Sequence, residues 1–219
     1  VRRRSSERQP APGRKAMAAL ARAAAAVAAT LLAACSGSAS RPAGSAPGDL
    51  FFVHLASLCG QAFAGRIVAN QPTPSSPDAF EGQALVMHLR ECGEARLAIP
   101  FHVGDDRSRT WLLARTGQGL RLKHDHRHRD GTADAVTMYG GDTLAAGTSR
   151  RQEFPVDAES IASFETAGLT ASVTNVWALE LEPGVRFTYE LARPAGRLFR
   201  VEFDLTRPVE PPPAPWGAE

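Results

Sequence analysis

Beyond residue 60, apolar and polar positions alternate with a period of two. That is the signature of strands with one buried and one wet face. Phe199, Val201, Phe203 and Leu205 alternate with Arg200, Glu202 and Asp204. Trp177, Leu179 and Leu181 alternate with Ala178, Glu180 and Glu182, and Val185, Phe187, Tyr189 and Leu191 repeat the pattern after a Pro183-Gly184 turn. Leu97, Ile99, Phe101 and Val103 form a fourth run, and further strands are expected at Phe63 to Ala69, Leu85 to Glu91, Trp111 to Thr116, Leu120 to Arg129 and Val136 to Tyr139. Turn signals separate them, among them Cys92-Gly93, Gly104-Asp105, Gly117-Gln118-Gly119, Asp130-Gly131 and Pro194-Ala195-Gly196. Helical pattern is confined to about Asp49 to Ala62 and Asp157 to Ala167. About eight to ten short strands joined by tight turns predict an all-β fold, an up-and-down antiparallel meander. Such a meander removes its edges by closing, here into a calycin-like β-barrel able to enclose one small ligand.

The first residues follow a different rule. Behind the basic pair Arg14-Lys15, Ala16 to Ala34 is nearly all Ala, Leu and Val, the layout of a secretion signal. It ends in Leu32-Ala33-Ala34-Cys35, which resembles the lipobox of bacterial lipoproteins and makes Cys35 the expected site of lipidation. The chain therefore divides into a leader over 1–35, a Ser/Gly/Ala/Pro linker over 36–48, a barrel domain over 49–207 and a Pro-rich tail over 208–219. The expected location is the cell envelope, with a membrane as partner through Cys35.

Removing the leader reverses the charge. The whole chain carries +2, but seven of its basic residues and one acid precede Cys35, leaving 18 basic against 22 acidic residues. A mildly acidic product without a basic stripe argues against nucleic acid as a partner. Past Cys35 only Cys59 and Cys92 remain, and a pair of cysteines in an oxidising compartment is most simply a disulfide.

The segment Leu120-Arg-Leu-Lys-His-Asp-His-Arg-His-Arg-Asp130 carries the most chemistry. As a strand it places Leu120, Leu122, His124, His126, His128 and Asp130 on an inward face, with Arg121, Lys123, Asp125, Arg127 and Arg129 on a wet one. Imidazoles spaced by two residues allow a metal site on His124, His126 and His128, zinc being the natural ion, or a polar lining for an organic ligand. They equally allow plain hydrogen bonds to Asp105 and Asp106 with no cofactor. Arg109 sits in the rim-like Asp105-Asp106-Arg107-Ser108-Arg109, suited either to a structural ion pair or to a ligand carboxylate. Trp111 and Tyr139 complete the candidate ligand-binding set. The chain has no Gly-rich phosphate loop, Gly-x-Ser-x-Gly elbow or His-Glu-x-x-His motif.

Leu58-Cys59-Gly60, Pro100 to Trp111 (PFHVGDDRSRTW), Lys123 to Thr132 (KHDHRHRDGT), Tyr139 to Thr143, Asn175 to Ala178 and Pro213 to Gly217 are landmarks of a resemblance. Over Cys59 to Gly217 the chain resembles a group of exported bacterial proteins to which no activity is assigned. The resemblance implies pairing of Cys59 with Cys92 and supplies no reaction. Three functions are consistent with these residues: a small-molecule or apolar-ligand binding barrel, a metal site or hydrolase-like enzyme on the three histidines, or a structural envelope protein that binds a partner. The first predicts an apolar cavity reaching the histidine end of the strand.

Overall fold

In the computed structural model, residues 46–75 and 79–218 are described. The leader, Cys35 and all but the last three residues of the linker lie outside them. Alternation produces strands where it was expected, with β8 added where none was: β1 (Ala62–Gln71), β2 (Leu85–His88), β3 (Glu91–Cys92), β4 (Arg96–Val103), β5 (Asp106–Arg115), β6 (Leu120–His126), β7 (Tyr139–Asp142), β8 (Arg151–Pro155), β9 (Val176–Glu182), β10 (Arg186–Ala192) and β11 (Leu198–Val209). Two helices, α1 (Pro47–Ala56) and α2 (Ala158–Thr166), and a 3-10 turn at Thr170–Thr174 complete the set. Several boundaries move. The domain begins inside the expected linker, because Pro47 opens α1 at the position where a missing N–H costs nothing. It ends later than expected, since β11 runs through Pro208, which pairs with Phe63. β6 stops at His126, and the strand expected at Val136 to Tyr139 instead begins at Tyr139.

The strands form one antiparallel sheet ordered β7-β6-β5-β4-β2-β1-β11-β10-β9-β8, with β3 pairing β4 beside this path. Apart from β3 and the β7/β8 ends, each strand on this path neighbours the next in the chain, and β1 against β11 joins first to last. The result is an up-and-down barrel, nearly closed. Its seam lies between β7 and β8, where backbone and cap bonds replace a ladder. Asp157 N–H donates to the Gly140 carbonyl at 2.9 Å. The Ser160 hydroxyl accepts from Gly140 N–H at 2.8 Å and donates to its carbonyl at 3.2 Å. A Cβ on Gly141 would run into the Pro155 carbonyl oxygen, so the seam closes only over glycine.

The inward positions fill a single core that includes Phe63, Leu97, Trp111, Phe187, Val201 and Phe203. α1 plugs one end of the barrel with Phe51, Phe52 and Leu55. Arg115 holds the plug in place, pairing with Asp49 and lying 4.3 Å over the Phe52 ring. A Cys59–Cys92 disulfide ties the chain after α1 to β3. Closing 33 residues of chain, it is worth roughly 3 to 4 kcal/mol by the chain-entropy model. The Cys59→Ser/Cys92→Ser variant is expected to lose about that much in urea unfolding; an unchanged midpoint would show that the bond constrains nothing.

The tail is a docked strap. Trp216 N–H donates to the Arg107 carbonyl at 3.1 Å, Arg107 Nη1 donates to the Ala214 carbonyl at 2.8 Å, and Arg90 Nη2 reaches the Ala218 carbonyl at 3.1 Å. Arg129 lies 5.8 Å over the Trp216 ring, and Gly217 packs on Gly131. Three of the sequence landmarks, far apart in the chain, thus meet at one place.

Candidate functional site

At the end opposite α1, the strand termini surround a cavity of about 260 Å³. Its deep wall is aromatic. Trp111 on β5 stacks on Tyr189 of β10 with centroids 4.5 Å apart and on Phe101 of β4 at 4.8 Å. His124 on β6 stacks on Tyr139 of β7 at 4.8 Å, and Trp177 of β9 lies 5.1 Å from the same imidazole. Phe164 from α2 and Leu169 close the side.

The polar atoms in this wall are paired in a fixed sense. His124 Nδ1 faces the Tyr139 carbonyl at 3.1 Å, an acceptor only, so that nitrogen carries the proton. Nε2 then accepts from the Tyr189 hydroxyl at 2.9 Å, and the Tyr189 oxygen is itself hydrogen-bonded by Trp177. Tyr139 Oη and His126 Nε2 are 2.9 Å apart. Burial keeps both imidazoles neutral. It drives His124 down to about 3, with His126 and Lys123 adding to the effect against the Tyr139 carbonyl bond. It drives His126 down to about 4, helped by Arg109 and opposed by Asp134, Asp106 and Asp125. Burial likewise raises the Tyr139 phenol to about 12 and the Tyr189 phenol well above its ordinary value. At neutral pH the wall is uncharged, an aromatic box whose hydrogen bonds are internal.

The mouth differs. Arg109, Arg193 and Arg197 line it, and no Asp or Glu is among the lining residues. Arg109 pairs with Asp106 and lies 5.3 Å over Phe80. Phe80 is tilted against Phe199 at 4.9 Å, and Arg197 lies 5.6 Å over Phe199. Arg193 and Arg197 flank the turn between β10 and β11, joined by an Arg193 N–H to Arg197 carbonyl bond of 3.0 Å. Their guanidinium groups are held by neutral acceptors. Arg193 Nε donates to Asn175 Oδ1 at 2.6 Å and Nη2 to Ser172 Oγ at 3.4 Å. Arg197 Nη1 donates to Asn70 Oδ1 at 2.6 Å and to the Gln71 carbonyl at 3.3 Å. Burial and then the nearby Arg197 charge lower the Arg193 pKa.

Five of the expected residues therefore meet at one cavity: His124, His126, Arg109, Trp111 and Tyr139. His128 does not join them. β6 ends two residues before it and its side chain is exposed, so the inward face of three aligned imidazoles is cut short. Both His124 nitrogens are committed, and among the described residues no group of three or more His, Cys, Asp or Glu is arranged to hold a metal ion. Hydrogen bonds from His124 and His126 go to tyrosines and a carbonyl, where Asp105 and Asp106 were the expected partners. Lys123, expected on a wet face, is buried beneath the start of α2, where Asp157 at 2.8 Å and Glu159 at 3.0 Å neutralise it. Arg109 is ion-paired to Asp106, as one of its two readings expected, and it also lines the cavity. Arg193, Arg197 and Tyr189 were not anticipated; the two arginines had been hidden in what read as a simple Pro-Ala-Gly turn.

Compared with protein-family models, curated proteins and solved structures, the chain matches none of them.

Proposed function

We propose that this protein is an exported, lipid-anchored binding protein whose barrel takes up one small ligand with a flat apolar body. The observation that carries the reading is the aromatic cavity of about 260 Å³ at the barrel end left open by α1. A concave, largely apolar site with a few fixed polar groups is the usual form of a small-molecule site. Its volume suits a ligand of one or two fused rings, and the aromatic groups of Trp111, Tyr139 and Trp177 line it. The sense of the hydrogen bonds adds support. Because His124, Tyr189 and Trp177 satisfy one another, the wall is preorganised, and an apolar ring entering it strips no polar group of a partner. The leader, the lipobox-like Leu32 to Cys35 and the disulfide favour a place in the cell envelope.

Binding to the folded state raises stability by mass action, about 2.7 kcal/mol at a hundred times the dissociation constant. 2-Naphthoate is therefore expected to raise the thermal midpoint of the mature domain in a saturable way. Val136→Trp, which places an indole in the cavity, is expected to unfold near the native midpoint but lose the naphthoate shift. Equal shifts in both proteins would place the binding elsewhere and contradict the reading.

A further inference from the structure

We infer that the cavity selects anions, and that its ligand is a small aromatic carboxylate whose ring enters the box while the carboxylate stays at the mouth between Arg193 and Arg197. The inference rests on the reading of the cavity as a ligand site and adds the class of ligand. Two arginines flanking a three-residue hairpin turn repel each other, and partly burying them adds to the cost. Elsewhere the barrel meets that cost with acids: Arg151 is paired to Glu153, Glu180 and Glu190, Arg200 to Glu180 and Glu190, and Arg121 to Asp142. At the mouth it does not. Among the described residues the hydrogen-bond acceptors of Arg193 and Arg197 are amide, hydroxyl and carbonyl oxygens, with no carboxylate among them. Those neutral acceptors fix the two guanidinium planes without cancelling their charge, leaving N–H donors to a guest.

A carboxylate suits this arrangement because guanidinium presents paired donors that match its two oxygens. The cavity lining holds no acid to repel such a group. The wall beneath is neutral at physiological pH, since His124 and His126 remain uncharged, so the charge of the guest is met at the mouth and its ring is met below. Phe80 and Phe199, each under a guanidinium and tilted against each other at 4.9 Å, form the step between the two regions.

Calorimetric titration of the mature domain with 2-naphthoate and with its neutral isostere 2-naphthamide tests this. The carboxylate is expected to bind at least tenfold more tightly, and the preference is expected to disappear in Arg193→Gln/Arg197→Gln, whose retained naphthamide affinity reports an intact box. Equal affinity of the native protein for both compounds, or a preference that survives the double substitution, would overturn anion selection while leaving the ligand site standing. Binding of neither compound would overturn both. The comparison within the native protein decides the matter even if the double variant fails to fold.

Discussion

Between pH 6.5 and about pH 4.5 the folded domain is expected to lose on the order of 5 kcal/mol of stability, each buried imidazole contributing up to about 1.4 kcal/mol per pH unit. Three histidines carry most of it, with His88, lowered by burial and by Arg90, adding to it. Burial lowers His124 to about 3, His126 to about 4 and His102 to about 4, the last with help from Arg107 and His88. In the unfolded chain each regains an ordinary value near 6.5. Below that pH the unfolded state binds protons that the folded state refuses, so unfolding takes up protons and acid favours it. The loss begins near pH 6.5 and levels off only below the folded values. Asp106, Asp142 and Asp157, all held below the usual carboxylate range by hydrogen bonds and ion pairs, extend it beneath pH 3.8. Urea midpoints across pH 7 to 4.5 measure the effect, and His102→Gln is expected to remove about a third of the slope. A flat profile would mean that the imidazoles are solvated, contrary to the box described above.

Trp111→Ala is expected to cost about 3 to 5 kcal/mol, the range for deleting a large buried aromatic ring. Trp111 is 1 % exposed and touches both halves of the barrel. It stacks on Phe101 from β4 and on Tyr189 from β10, and meets the edge of Phe203 from β11 at 6.1 Å. No single neighbour can move into the space it leaves, so a void joins the ligand cavity. The variant is expected to unfold at lower urea and, at temperatures where it remains folded, to bind 2-naphthoate poorly because the wall that shapes the cavity is gone. A loss below about 1 kcal/mol would show that the wall relaxes, and that its rings are not the preorganised surface proposed here.

The strands were legible because their two faces differ in polarity, as in Phe199 to Leu205, and each such run became a ladder. β8 was not. Of Arg151 to Pro155 only Phe154 is a large apolar residue, and the inward Gln152 is buried by spending its amide on the carbonyls of Ala146 and Thr148. Lys123 misled for the opposite reason: alternation marks a face, but whether water reaches that face depends on what packs over it, here α2 with its two acids. The candidate site was half legible. His124, His126, Arg109 and Trp111 stand on two strands close in sequence, and their residue types drew attention to them. Tyr189, Arg193 and Arg197 come from the other side of the barrel, and only closure of β1 on β11 brings that side round to face them. Nothing local in Arg193 to Arg197 distinguishes a charged mouth from an ordinary polar turn.

The central claim is that a flat aromatic acid lies against Trp111 and Trp177 inside the barrel. The chain carries three tryptophans, and the third, Trp216, belongs to the C-terminal strap away from the cavity. Indole N–H resonances followed during titration with 2-naphthoate therefore contain their own control. The account predicts saturable shifts of Trp111 and Trp177 with Trp216 unmoved; shifts confined to Trp216, or none at saturating ligand, would contradict it.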